Sequence, residues 1–260
     1  MTETRTGWDL RLLGFWQLRL GGRTVSVGAR QQRLIAALAL LGARPRHLLA
    51  GVLWPESSED QAAASLRAIL FRISHDLPQL LADSRDPVAL NAEVRTDLAR
   101  VRRLIEEIAH PGTDPVHDVS EILRNAELLP GWYDDWVIFE QERLQQQRMA
   151  ALETLAMRYL AQGDPVGALE AARASAAIEP LRESAQLIIV RSHLAADDRA
   201  SAMRVFRDFR ARLADELGVA PSPRFDVILD SAASPEATRR TPLGAGVQTP
   251  LRFQPGKHHP

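Results

Sequence analysis

The 260-residue chain has no cysteine, which excludes disulfides and thiolate metal sites. Lysine is nearly missing as well: Lys257 stands alone, and the remaining basic charge is arginine. Long apolar runs are absent. The longest, LIAALALL at residues 34–41, falls far short of the ~20 residues that span a bilayer. The opening MTETRTGWDL shows no basic-then-apolar signal pattern. Together these point to a soluble cytoplasmic protein with no membrane partner. The sequence has no phosphate-binding glycine loop ending in Lys-Ser/Thr and no Gly-x-Gly-x-x-Gly. It also lacks His-Glu-x-x-His and Gly-x-Ser-x-Gly. His47, His110, His117 and His193 have no second ligand at metal spacing. His75 and Asp76 are adjacent, so on a helix they diverge by about 100° and make no dyad. The expectation is a non-enzyme with no cofactor and no metal.

What is present is a chain able to bury a core, with 45% hydrophobic and 25% charged residues. Its length suggests two domains. The net charge of −1 hides an asymmetry: residues 1–105 hold 15 basic and 10 acidic side chains, the remainder 17 and 23. A basic head and an acidic body suit nucleic-acid binding followed by protein binding. The preference for arginine over lysine is not by itself evidence of phosphate binding.

Residues 10–27 (LRLLGFWQLRLGGRTVSV) hold short near-alternating apolar runs around Gly21-Gly22, a hairpin signal, with a third run at Thr24–Val27. A small antiparallel sheet is expected. ARQQRLIAALALLG (29–42) has Leu34, Ala37, Leu38 and Leu41 at helical spacing, and Gly42 stops it. A second helix is predicted from about Arg46 to Leu53, with Pro45 at its start and Trp54-Pro55 after it. A third, Glu59 to Leu77, follows Ser57, whose spacing to Asp60 predicts a capping box. Its Leu66, Ile69, Leu70, Ile73 and Leu77 form a stripe of about 100°, the buried face. Gln61, Ala64, Ala68, Phe71, Arg72 and His75 point outward, with Arg67 on the flank. Residues 80–94 read as two short strands around a Ser-Arg-Asp turn. Sheet, three helices and hairpin make a winged helix-turn-helix, of the variety that carries a leading sheet in response-regulator effectors.

From Thr96 the pattern is helical throughout, with helices over 97–109, 117–128 and 134–161 broken at residues 111–115 and at Pro130-Gly131. A repeat follows. Residues 158–175 align with 191–208 at an offset of 33, and at 34 the match improves where it counts. Gly163-Asp164 falls on Asp197-Asp198, Ala168-Leu169 on Ala202-Met203 and Leu155 on Ile189. A period of 34 with small residues at packing positions is the tetratricopeptide signature. Trp132, Tyr133 and Trp136 are expected to pin the loop after Pro130-Gly131 onto the repeat helices. The tail from Ser231, with five prolines and little periodicity, is expected to be disordered, and its Lys257-His258-His259 to be a solvated terminus. The fold class is therefore mainly α with a small antiparallel β component. The expected division is a winged helix at 8–96, an all-α TPR-like repeat domain at 97–230 and the tail at 231–260.

Several of these segments resemble the antibiotic regulatory protein (SARP) family of transcriptional activators, over about 8–230. LRLLGFWQLRLGGRTVSV is similar to the family's opening sheet in an OmpR-like winged helix, and RQQRLIAALAL to its first helix. LLAGVLWPE is similar to its second helix, and SLRAILFRISHDL to its recognition helix. LLPGWYDDWVIFEQERLQQQRMAALETLA (128–156), GDPVGALEAARASAAIEPLRESA (163–185) and ADELGVAPSP (214–223) resemble the bacterial transcriptional activator domain. The resemblance implies binding to direct repeats in double-stranded promoter DNA near −35 elements. It also implies recruitment of RNA polymerase holoenzyme through its sigma factor, and activation of a biosynthetic gene cluster. A homodimer on DNA is compatible with direct repeats. Two departures stand out. Where the family continues Arg-Leu-Arg-Arg, this chain reads Arg72-Ile73-Ser74-His75. Where the wing carries Gly-Tyr, it reads Pro87-Val88-Ala89-Leu90.

As a reader of the major groove, the outward face has defined chemistry. Arg67 or Arg72 suits a phosphate or guanine O6/N7, Gln61 suits adenine N6/N7, and Ala64, Ala68 and Phe71 suit thymine methyls, with His75 beside them. Arg30, Arg33 and Arg46, at or near helix starts, and Arg85 on the wing are candidate phosphate clamps. Against this stands solvated arginines and a Phe71 that packs on polymerase or a second protomer. Two readings result: a DNA-binding activator, or a TPR-like interaction regulator whose head has lost productive DNA binding.

Overall fold

The computed structural model describes residues 7–110 and 118–231. The expected break at 111–115, His117 and the tail beyond Ser231 lie outside the described residues. The chain divides after Ser222 into two units.

The first unit opens with β1 (Trp8–Arg11), β2 (Gln17–Leu20) and β3 (Arg23–Val25). Gly21 and Gly22, at φ 55° and 84°, supply the two left-handed positions that a tight hairpin needs between β2 and β3. Three helices follow: α1 (Ala29–Leu41), α2 (Arg46–Leu53) and α3 (Glu59–Asp76). The chain then returns as β4 (Arg95–Thr96), giving a sheet ordered β3-β2-β1-β4. β1, β2 and β3 pair antiparallel as expected, and β4 adds to this sheet parallel to β1. A parallel neighbour needs a long crossover, and α1–α3 provide it.

Two local expectations are corrected. Ser58, not Ser57, caps α3, its Oγ accepting from the Gln61 N–H at 3.4 Å. Ser57 is committed to the preceding turn, its N–H donating to the Trp54 carbonyl at 3.1 Å. The two strands expected over 80–94 reduce to isolated bridges, Leu81 with Leu90 and Arg44 with Val88. Pro87 brings no N–H to a ladder, and Val88 exchanges its backbone hydrogen bonds with Arg44 instead, at 2.9 and 3.0 Å.

The body comprises α4 (Asp97–Ala109), α5 (Val119–Asn125), α6 (Asp135–Ala161), α7 (Pro165–Ile178), α8 (Glu183–Ala195) and α9 (Arg199–Leu217). α5 ends earlier than the predicted 128 because Leu128 bridges to Leu13. The 34-residue period appears as repeated geometry. Asp164 and Asp198 both cap the following helix, accepting from Gly167 and Ser201 N–H groups at 3.0 and 2.9 Å. Their own N–H groups donate to the carbonyls of Tyr159 and His193, again 34 apart, at 2.8 and 2.9 Å. Ala168 and Ala202 are fully buried, as close helix approach demands. Trp132 and Trp136 pack against the core as expected, whereas Tyr133 projects outward at 82% exposure. Tyr133 therefore pins nothing.

Head and body of this unit share one apolar cluster running from Trp8 to Ile189. Backbone pairing also joins them: the Leu129 N–H donates to Leu12 O at 2.8 Å and Gly14 N–H to Glu127 O at 2.7 Å. The second unit contributes α10 (Arg224–Ser231), an eight-residue helix. No helix of the described residues is long and apolar enough to cross a membrane.

Candidate nucleic-acid interface

α3 is anchored by Ala62, Leu66, Ile69, Leu70 and Ile73, all buried, with Leu77 just past its end. Burying a Leu or Ile side chain fully is worth roughly 1.5–3 kcal/mol, so the stripe fixes the rotation of the helix about its axis. Once that rotation is set, the residues on the far side must face solvent. Gln61, Ala64, Arg67, Ala68, Phe71, Arg72 and His75 are all exposed. Phe71 is 74% exposed, an unusual position for a side chain of its size. The Phe71 and His75 rings, one turn apart, lie parallel within 3° at a centroid distance of 6.4 Å. Among the described residues, neither the Arg67 nor the Arg72 guanidinium has a hydrogen-bond or ion-pair partner.

The other basic candidates separate into distinct settings. Arg30 is exposed in the first turn of α1. Arg33 is turned inward, its guanidinium donating to Asp134 Oδ1 at 2.5 Å and to Leu53 O at 3.1 Å. Arg46 and Arg85 come together: Arg46 Nε donates to the Arg85 carbonyl at 2.8 Å, and the Arg46 N–H to Asp86 Oδ1 at 3.0 Å. That contact ties the start of α2 to the wing. Arg44, exposed, joins this group through its bridge to Val88. No local pattern marks Arg44, because a residue paired 44 positions away brings it there. Between the C-terminal half of α3 and the wing runs an open groove of about 330 Å³, lined in part by Ser74, Leu77, Arg46 and Arg85. Glu59 and Asp60 occupy the first turn of α3, where carboxylates meet the positive end of the helix.

In the body, buried charges serve structure. Glu140 accepts from Arg102 at 3.0 Å and Arg143 at 3.1 Å. The buried Arg148 donates to the carbonyls of Leu123 and Arg124 at 2.6 and 2.5 Å, closing the end of α5. Burial pushes the Arg148 guanidinium below its ordinary range, partly offset by Glu127.

A family model described as the bacterial transcriptional activator domain matches residues 122–228. The chain is similar to the regulatory protein AfsR of Streptomyces coelicolor, with 33% identity over 216 residues, covering 78% of this chain and 22% of that protein. It is also similar to AfsR of Streptomyces griseus, with 28% identity over 219 residues and the same coverage. It thus spans about a fifth of the length of the curated relatives it matches. Among solved structures it is similar to Mycobacterium tuberculosis EmbR, determined in complex with a low-affinity phosphopeptide. There the TM-score is 0.66 and the identity 21%, over 87% of this chain and 65% of that one, a likeness of fold.

Proposed function

From the premise that the chain is a SARP-family protein whose residues 122–228 are a bacterial transcriptional activator domain, we propose that it is a DNA-binding transcription activator. The head, residues 8–96, binds promoter direct repeats, and the body, residues 97–230, recruits RNA polymerase holoenzyme to a biosynthetic gene cluster. One observation carries the reading. The face of α3 opposite its buried stripe is open, and two unpartnered guanidiniums stand on it.

Each part has a role in this reading. α3 enters the major groove. Arg30 and the Arg44, Arg46 and Arg85 group hold phosphates beside it. Arg33, held by Asp134 and Leu53, acts on orientation of the head rather than on DNA. Neutralising a phosphate releases counterions, with a slope in log K against log salt of about −0.9 per contact. The test is fluorescence anisotropy of the full chain on duplexes from the upstream DNA of neighbouring genes, titrated over salt. Sequence-dependent binding that weakens in Arg67→Ala/Arg72→Ala supports the reading. In vitro transcription from the bound promoter with holoenzyme tests recruitment.

A second reading is favoured by the exposure of Phe71. In it α3 contacts a protein and the chain is a helical-repeat interaction regulator. Absence of any shift at low salt, with polymerase present, supports that alternative.

A further inference from the structure

Arg67 and Arg72 do not sit at the centre of the open face. At 100° per residue the side chains of Ala64, Ala68, Phe71 and His75 fall within about 60° of arc, centred opposite the buried stripe. Arg67 lies on one flank and Arg72 on the other, about 140° apart. The apex is therefore two alanines and the Phe71 and His75 rings, and the two arginines straddle it. From residue 64 to 75 the ridge runs about 16 Å, close to the rise of five base pairs. The parallel Phe71 and His75 rings form its C-terminal half, and two alanines, too short to hold anything away, form the rest.

This arrangement matches a B-form major groove. The groove is about 12 Å wide with base edges on its floor and a phosphate strand along each rim. A helix whose apex meets the floor turns its flanks toward the two rims. Charge complementarity then assigns Arg67 and Arg72 to phosphates, one on each strand. The floor is left to side chains that cannot form a bidentate pair with guanine. Ala64, Ala68 and Phe71 carry no hydrogen-bonding group, and the floor feature that they recognise is the thymine C5-methyl, with His75 the one apex side chain that carries a ring nitrogen.

We infer that this chain reads its site by thymine methyl groups, through Phe71 and the Ala64/Ala68 ridge, while Arg67 and Arg72 clamp the two phosphate strands. The inference rests on the DNA-binding reading and goes beyond it in naming which side chains carry sequence information. Asp60, in the first turn near the same arc, adds no attraction for phosphate and confines the reading ridge to the turns beyond it.

The experiment uses the full chain. A random duplex pool is enriched on it, and the strongest duplex is remade with uracil replacing thymine at each position, which removes the methyl and nothing else. Loss of one buried methyl contact is expected to weaken binding about fourfold, at two or more positions. Phe71→Ala is expected to abolish thymine–uracil discrimination at one of these with the salt slope unchanged, and Phe71→Leu to retain part of it. Arg67→Ala and Arg72→Ala are each expected to lower the salt slope by about 0.9 and to leave the thymine–uracil ratio intact. Equal affinity for thymine and uracil duplexes overturns the inference while the DNA-binding reading stands. So does loss of guanine preference at one position in either arginine variant, or a Phe71→Ala effect confined to polymerase recruitment. No binding to any duplex at 50 mM salt overturns both. Phe71 is exposed, so its variants are expected to fold, and circular dichroism checks this.

Discussion

Asp134 accepts a hydrogen bond from the Arg33 guanidinium at 2.5 Å, between residues 101 apart in sequence. Arg33 lies in the first turns of α1, Asp134 stands at the N-cap position of α6 without a side-chain cap hydrogen bond, and both side chains are about a quarter to a third exposed. The same guanidinium reaches the Leu53 carbonyl at the end of α2. One side chain thus joins the helix pair that supports α3 to the long helix of the body. Arg33→Ala is expected to destabilise the protein by about 1–2 kcal/mol, and a double-mutant cycle with Asp134→Ala to show coupling of about 1 kcal/mol. Urea unfolding measures both. Arg33→Ala should leave the salt dependence of DNA binding unchanged, unlike Arg30→Ala.

Asp97 makes a second junction. Its two carboxylate oxygens accept from the Leu12 and Leu13 N–H groups at 2.9 and 3.0 Å, at the point where β1 ends and the chain turns toward the body. Asp97→Ala strands two partly buried donors, and a cost of about 2–4 kcal/mol is expected. Asp97→Asn keeps the shape and one acceptor, so it should fall between the two. Thermal unfolding orders the three proteins.

Stability should depend on pH through His193. Burial holds its imidazole below the ordinary range; Arg173 and Arg204 push the same way and Asp198 opposes them. The folded chain therefore binds a proton less readily than the unfolded one, whose value is near 6.5. Stability is expected to be full above about pH 6.5, to fall as pH drops through the window down to the folded-state value, and then to level off. His193→Gln should flatten that segment of a urea-midpoint profile. The Asp198 carboxyl is lowered by its hydrogen bonds from Ser201, so its contribution is lost only at more acid pH.

Ile73 and Phe71 are two residues apart and should behave oppositely. Ile73 is fully buried and Phe71 stands out from the surface. Ile73→Ala is expected to cost about 2–5 kcal/mol, and Phe71→Ala to stay within about 0.5 kcal/mol. Comparable losses in the two unfolding midpoints would mean that α3 is rotated from the orientation described.

The face of α3 was legible because it is a local matter: apolar side chains at i, i+3, i+4 and i+7 choose the buried side, and the opposite side follows from helical geometry. The 34-residue repeat was legible for the same reason, since Asp164 and Asp198 cap helices within three residues of themselves. The wing was legible in part: residues 80–82 and 89–91 do pair, Ala82 N–H donating to Ala89 O and Asn91 N–H to Leu80 O at 3.0 and 2.9 Å, but Pro87 withholds a donor and Val88 pairs with Arg44, so full strands do not form. Tyr133 misled because aromatic identity does not say which of three neighbours finds a pocket.

The amino-acid order alone therefore determined the three helices of the head, the buried face of α3 and where the repeat falls, because those depend on contacts within one or two turns. Only the tertiary structure decided that Arg33 serves Asp134 instead of solvent, that Asp97 holds the end of β1, and that β4 lies parallel to β1. Those partners are 84 to 101 residues apart. A charge can reach a partner at that separation only after the apolar cluster has brought the two elements together, and nothing in the flanking residues encodes that approach.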